Sequence, residues 1–193
     1  MSEQPTVRGV LVTRTAAFID RKFDPEQRER IYGQVSSEVR DALPKIGKNE
    51  FYPRGWLSQY LGSIARHYDD PQRGHDDIVE CGLYHGNDAT GTFLRLLVKF
   101  LTPKVFSRKF PELWAKDFRF GTISSNTDEA DARKRIEVMI SDVDGFDWFA
   151  PLCTGYFKHI FATMGKKSVQ VVEKNCPVGT PSVPSLHFTI SWT

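Results

Sequence analysis

The sequence has few of the features that mark membrane, secreted or disordered proteins. It holds three widely spaced cysteines among 193 residues, which is a poor disulfide framework. No apolar run approaches the ~18–20 residues of a membrane span, and no basic region followed by an apolar one opens the chain. The charges nearly cancel, because 26 Lys and Arg stand against 24 Asp and Glu. We therefore predict a cytoplasmic protein with no membrane span and no nucleic-acid partner.

Recognisable catalytic motifs are also absent. The sequence contains no nucleophile elbow, P-loop, GxGxxG, HExxH or Cys-x-x-Cys. Its three cysteines and five histidines stand in no arrangement typical of an active site. We predict that the protein is not an enzyme and has no catalytic residues.

Aromatic residues, in contrast, are abundant. The chain has 14 Phe, 6 Tyr and 4 Trp. Phenylalanine is more frequent than core filling alone needs in a domain of this size. The composition indicates a wide core or a pocket with aromatic walls.

Hydrophobic periodicity predicts a mainly helical layer over residues 1–117. Residues 7–13 are typical of a short strand. Asp24 and Pro25 then begin a helix whose apolar stripe ends near Leu43. Further helices are predicted over 56–68, from about 74 to 87, over 93–101 and over 103–114. In the helix from 74, Gly82 and Gly86 are unfavourable unless another element approaches closely there.

The hydrophobic periodicity changes from helical spacing to alternation after residue 117. Strands are predicted over 118–125 and 134–143, a helix over 147–164, and strands over 169–173 and 186–192. The order of elements is therefore helices followed by β-β-α-β-β. We predict one α+β domain over residues 1–193, with N-terminal helices packed on a small antiparallel sheet of about four strands.

The C-terminal third carries a resemblance to a known family. Its motifs are Cys153, Gly155-Tyr156, Glu173-x-x-Cys176 and Gly179. They resemble the end of the 4-vinyl reductase domain family. The whole chain also resembles an uncharacterised paralogous family of soluble bacterial proteins of about this length. That second resemblance is carried by Arg8-Gly9, Phe51-Tyr52-Pro53, Trp56, Thr102-Pro103, Phe110-Pro111, Trp114 and Trp192.

Both families are similar in fold to the heme nitric-oxide-binding domain and to small subunits of the TRAPP tethering complex. This resemblance implies a helical layer over a four-stranded sheet, with a ligand cavity between them. It also implies a sensor or signalling role. We expect Phe93, Leu97, Phe106, Phe157 and Phe161 to line the cavity, although Phe and Leu at helical spacing are more often solid core.

The 4-vinyl reductase resemblance implies zinc ligands at Cys153, Glu173 and Cys176, with His187 as a fourth candidate. A zinc site usually has about four ligands, and the last cysteine of the family pattern is missing here. The alternative is that these cysteines pack in the core and no metal binds. The sequence also predicts against heme, because it lacks Tyr-x-Ser-x-Arg and has no histidine between His85 and His159.

Two interpretations of the function therefore stand. One is a non-enzymatic sensor that binds a small apolar or acyl ligand in a helix–sheet cavity. The other is a protein–protein interaction or scaffold module with a filled core, which could form a homodimer through the apolar helix 93–101.

A polar stripe on the helix predicted from residue 74 is a further candidate site. Asp77, Cys81, His85 and Asp88 recur at helical spacing and could hold a metal ion. The more economical interpretation is a solvated polar face.

Overall fold

The computed structural model describes residues 4–89, 102–126, 134–178 and 182–193. The apolar helix predicted over 93–101, with Phe93 and Leu97, lies outside these residues, and so does Gly179.

The chain begins with a short strand and then a long helix. β1 (Thr6–Arg8) pairs antiparallel with β2 (Phe51–Pro53), and α1 (Gly9–Lys22) follows at once. The strand predicted over 7–13 is therefore wrong beyond Arg8. From Leu11 onward the buried residues recur at helical spacing, and this periodicity overrides the local β-propensity: Leu11, Val12, Thr15, Ala16, Phe18 and Ile19.

The helix predicted from Asp24 to Leu43 is two helices, α2 (Pro25–Gly33) and α3 (Ser37–Ala42), followed by a 3₁₀ turn at Leu43–Lys45. The start is as predicted, because the Asp24 carboxylate accepts a hydrogen bond from the Gln27 backbone N–H at 2.8 Å. In return, the Gln27 side-chain oxygen accepts one from the Asp24 backbone N–H at 3.1 Å. The apolar stripe is still buried across the break between the two helices.

The described residues form five further α-helices. They are α4 (Arg54–Ala65), α5 (Pro71–Ala89), α6 (Pro103–Arg108), α7 (Phe110–Asp117) and α8 (Phe149–Thr163). None of the helices in the described ranges combines the length and the apolar character that crossing a membrane requires.

Two glycines let α5 and α8 meet backbone to backbone. A Cβ on Gly82 would overlap the Leu152 carbonyl oxygen, and a Cβ on Gly155 would overlap the Val79 carbonyl oxygen. The two helices could not pack this closely with any side chain at either position. The close approach predicted as the reason for Gly82 is therefore present, and we call this contact the glycine seam.

A four-stranded antiparallel sheet forms the C-terminal part, in the order β3-β4-β6-β5. Its strands are β3 (Thr122–Asn126), β4 (Arg135–Ser141), β5 (Gln170–Glu173) and β6 (Ser185–Ser191). The apolar residues of β4 and β6 alternate into the core, as the sequence predicts: Ile136, Val138, Ile140, Leu186, Phe188 and Ile190. The α+β class and the β-β-α-β-β order are thereby confirmed.

Candidate functional site

Helices α6, α7 and α8 converge on a partly enclosed cavity of about 90 Å³. Three elements outside this group complete the wall, because α1 contributes Leu11, α5 contributes His85 and β3 contributes Ile123. The other lining residues are Phe106, Phe110, Leu113, Trp114, Asp117, Phe118, Phe149, Leu152, Cys153, Tyr156 and Phe157. We call this space the cavity.

Aromatic side chains hold the cavity walls in place. The Phe106 and Phe110 rings meet edge to face, with centroids 4.9 Å apart, and Phe110 lies 5.7 Å from Phe157. Trp114 stacks on Phe118 at 4.2 Å. Each such pair adds about 0.5–1.5 kcal/mol to the stabilisation that burial provides, so the wall is stiff.

His85 is the buried polar group of the cavity wall. Its side chain is almost fully enclosed, and its Nε2 lies 3.0 Å from the Thr15 hydroxyl oxygen. Thr15 donates its single proton to the Leu11 carbonyl oxygen at 3.0 Å. The hydrogen bond between His85 and Thr15 fixes the imidazole against α1.

The thiol and phenol groups in the wall are held neutral. Burial raises the pKa of the Cys153 thiol well above its ordinary value, and the charge of Glu173 raises it further. Burial also raises the pKa of Tyr156 to about 12. A buried neutral thiol is a poor nucleophile, so the cavity can bind an apolar molecule more readily than it can attack one.

The predicted cavity residues divide into three groups. Phe106 and Phe157 line the cavity. Phe161 is fully buried behind it, against Phe106 and Trp192. Phe93 and Leu97 lie outside the described residues. The cavity is enclosed mainly by helices, and the sheet adds only Ile123 among the described residues.

The stripe on α5 is not the solvated face that the sequence favours. Cys81 and His85 are buried, and both interact with Thr15 on α1. Asp77 instead pairs with Lys22 at 3.0 Å. Asp77, Cys81 and His85 therefore fasten α1 to α5. The side chain of Asp88 lies outside the described part of the structure. Sequence analysis did not identify His85 as a wall residue, although its spacing from Cys81 is a signal of a shared face.

The residues predicted to bind zinc lie on different sides of α8. Cys153 faces the cavity, whereas Glu173 and Cys176 line a separate surface groove between α5, α8, β5 and residues 176–178. His187 lies on the outward face of β6 beside Ser185. In the part of the chain that the structure describes, no three His, Cys, Asp or Glu side chains form a group that could hold a metal ion. The zinc prediction is therefore wrong.

Comparisons with known proteins give the fold. No protein-family profile matches the chain, and no curated protein matches it in sequence. The structure is similar to that of an H-NOX protein from S. oneidensis in the Fe(II)NO ligation state, with a TM-score of 0.66 and 11% identity over 96% of this chain and 99% of the other. It is also similar to the H-NOX from Shewanella woodyi, solved with IWP-051 bound in the Fe(II)CO ligation state, with a TM-score of 0.60 and 11% identity over 96% and 94%.

These similarities contradict our prediction against heme, because the chain has the fold of domains that were solved with an Fe(II) centre. Motif absence alone was not a sound basis for that prediction. Among the described residues, His85 is the one imidazole in the cavity wall. The cavity is nevertheless far below the ~300–1,000 Å³ of ordinary cofactor and ligand pockets, so a porphyrin does not fit it in this conformation. The fold is that of the heme nitric-oxide-binding group, and the cavity lies within it.

Proposed function

We propose that the protein is a non-enzymatic sensor module that binds a small apolar molecule in the cavity. The observation that carries this proposal is a partly enclosed, aromatic-walled space inside a fold shared with H-NOX proteins. We treat residues 1–193 as one ligand-binding domain, because the wall takes residues from Leu11 to Phe157.

The size of the cavity limits the ligand. An apolar cavity of ~150 Å³ can hold benzene or xenon, and this one measures about 90 Å³. The volume favours a molecule of very few heavy atoms over a long acyl chain. Because the cavity is only partly enclosed, the apolar end of a larger molecule could also enter it.

His85 gives the cavity its polar group. It is held by Thr15 and belongs to α5, the helix that meets α8 along the glycine seam. A ligand that displaces His85 would therefore disturb contacts of both α1 and α5. This link would let an occupied cavity shift the balance between two arrangements of α1 and α5, as a signalling role requires.

The same proposal includes a relationship to two families, the 4-vinyl reductase domains and the paralogous bacterial proteins. Cys153, Gly155-Tyr156 and Glu173-x-x-Cys176 support kinship with 4-vinyl reductase domains. Kinship with the paralogous bacterial family is supported by the residues given for it above, from Arg8-Gly9 to Trp192. A cytoplasmic location is supported by the three cysteines, which are reduced thiols in the structure.

Native mass spectrometry of freshly purified protein tests the proposal. We expect a mass above that of the polypeptide, lost when the same sample is denatured. Cys153→Met should abolish the excess by filling the cavity, whereas the matched change Cys176→Met lies in the groove and should preserve it. A parallel absorbance titration with hemin reports whether a porphyrin can widen the cavity.

A wild-type mass equal to the bare chain, with no uptake of hemin or of small apolar probes, would contradict the proposal. Loss of the ligand in Cys176→Met but not in Cys153→Met would indicate that the ligand binds in the groove instead.

A further inference from the structure

The groove beside α8 has the size of a ligand site and is separate from the cavity. Its volume is about 360 Å³, which falls within the usual range for small-molecule pockets. Asp76 of α5 lines the groove, and α5, α8 and β5 each add a pair of residues at the spacing that puts them on one face. They are His75 and Val79 on α5, Thr154 and Lys158 on α8, and Val171 and Glu173 on β5.

The acidic side of the groove centres on a carboxylate that is about nine-tenths buried. Thr154 donates to Oε1 of Glu173 at 2.7 Å, and His75 Nε2 donates to the same oxygen at 3.2 Å. Nδ1 of His75 lies 3.4 Å from the Asp76 carboxylate. With His75 protonated, two carboxylates and one imidazolium leave this side of the groove with a net negative charge.

The basic side of the groove is Lys158. It lies one helical turn beyond Thr154 and is half-buried. None of the described residues forms an ion pair or hydrogen bond with its ammonium group. The groove is therefore lined by both a cation and carboxylates, and Lys158 forms no ion pair with Asp76 or Glu173.

The space between the charges has apolar walls. Val79, Val171, Pro177 and Val178 line it. Val178 is an exposed large hydrophobic residue, with 47% of its surface accessible. An apolar side chain bound here would cover it.

We propose that the groove binds a small zwitterion with an apolar side chain, of the kind that a free aliphatic amino acid represents. The ammonium group lies against Asp76 and Glu173, the carboxylate against Lys158, and the side chain on Val171 and Val178. Charge-assisted hydrogen bonds at both ends select a molecule that carries both charges. This site is independent of the cavity and of the function proposed for it.

An NMR shift titration with L-leucine tests this proposal. We expect saturable shifts at the backbone amides of Lys158, Glu173 and Val178. Two probes of the same carbon skeleton separate the charges, since 4-methylpentanoate lacks the ammonium and 3-methylbutylamine lacks the carboxylate. Each should bind about tenfold more weakly than leucine, because one charged hydrogen bond is lost.

Matched variants assign the contacts. Lys158→Met should weaken leucine binding about tenfold and leave 3-methylbutylamine unchanged, whereas Lys167→Met removes an exposed lysine outside the groove and should change neither. Cys153→Met should also leave leucine binding intact. Three results would overturn the proposal: no saturable shift with leucine, equal affinity for 4-methylpentanoate, or equal weakening by Lys158→Met and Lys167→Met.

Discussion

The cavity and the groove lie on two faces of α8 and differ in almost every physical property. Cys153 faces the cavity, and its neighbour Thr154 faces the groove. The cavity is small and aromatic, with one fixed imidazole, whereas the groove is larger, more open and charged. One helix can therefore serve two kinds of ligand, because successive residues on a helix point about 100° apart.

The glycine seam is what the two regions share. It sets the distance between α5 and α8, and both helices contribute residues to the cavity and to the groove. Changes in the seam should therefore affect both regions, whereas changes on one face of α8 should affect only one.

The largest expected effect comes from enlarging the cavity. Phe157→Ala removes a buried ring that contacts Phe110 and Phe188. It should lower the free energy of unfolding by about 3–5 kcal/mol, as urea denaturation would measure. Added benzene should recover part of this loss by binding in the larger space. A stability equal to that of the wild type would contradict the packing described for the cavity.

Adding a side chain at the glycine seam should have the next largest effect on stability. Gly155→Ala and Gly82→Ala each place a methyl group against the backbone of the opposite helix, which cannot move without separating α5 from α8. We expect each to lower the free energy of unfolding by about 2–3 kcal/mol and to weaken ligand binding in both regions.

Gly55→Ala is the control for the seam, since its added methyl group meets no neighbouring atom. It should leave stability unchanged or raise it slightly, because alanine is the better helix former. If all three alanine variants had the same stability, the close contact of the two helices would be refuted.

A smaller, pH-dependent effect should arise in the groove alone. The hydrogen bond to Glu173 raises the pKa of His75 above its ordinary value of 6.5, against an opposing effect of burial. The stabilisation from this pair is therefore complete below about pH 6.5 and is lost as pH rises through the higher folded pKa.

The stability difference between wild type and His75→Gln checks this sign. It should be on the order of 1 kcal/mol in mild acid and should shrink toward alkaline pH. A difference that grows with pH would contradict the assignment. Cavity ligands should bind His75→Gln as they bind the wild type.

The smallest effect concerns thiol labelling, which should distinguish the two faces without changing stability. Burial raises the pKa of Cys176 to about 11 and that of Cys153 well above its ordinary value. Both thiols should react slowly with a disulfide reagent near neutral pH, Cys176 being the faster. A cavity ligand should slow Cys153 further and leave Cys176 unchanged. Slowing of both would indicate that the ligand acts on the whole fold.

Much of the fold could be predicted from the sequence because its periodic patterns are strong. The alternation in β4 and β6 and the capping box at Asp24 both predict local structure that the protein has. The break between α2 and α3 could not be read from the stripe, because its residues are buried on both sides of the break.

The sites were harder to predict because they depend on which faces of separate elements meet. Cys153, Glu173 and Cys176 carry a family resemblance, but Cys153 lines the cavity whereas the other two line the groove. His85 belongs to the cavity only because α5 packs against α1 through Thr15, a residue 70 positions away. A missing sequence motif led to the prediction that the protein does not bind heme, although its fold is shared with domains that hold Fe(II).

A crystal structure determined under xenon pressure would show whether the cavity accepts a small apolar molecule, because xenon enters dry apolar cavities. We expect an anomalous peak among Phe106, Cys153 and Phe157 in the wild type, and no peak there in Cys153→Met. An empty cavity in pressurised wild-type crystals, or xenon bound in the groove alone, would contradict this expectation.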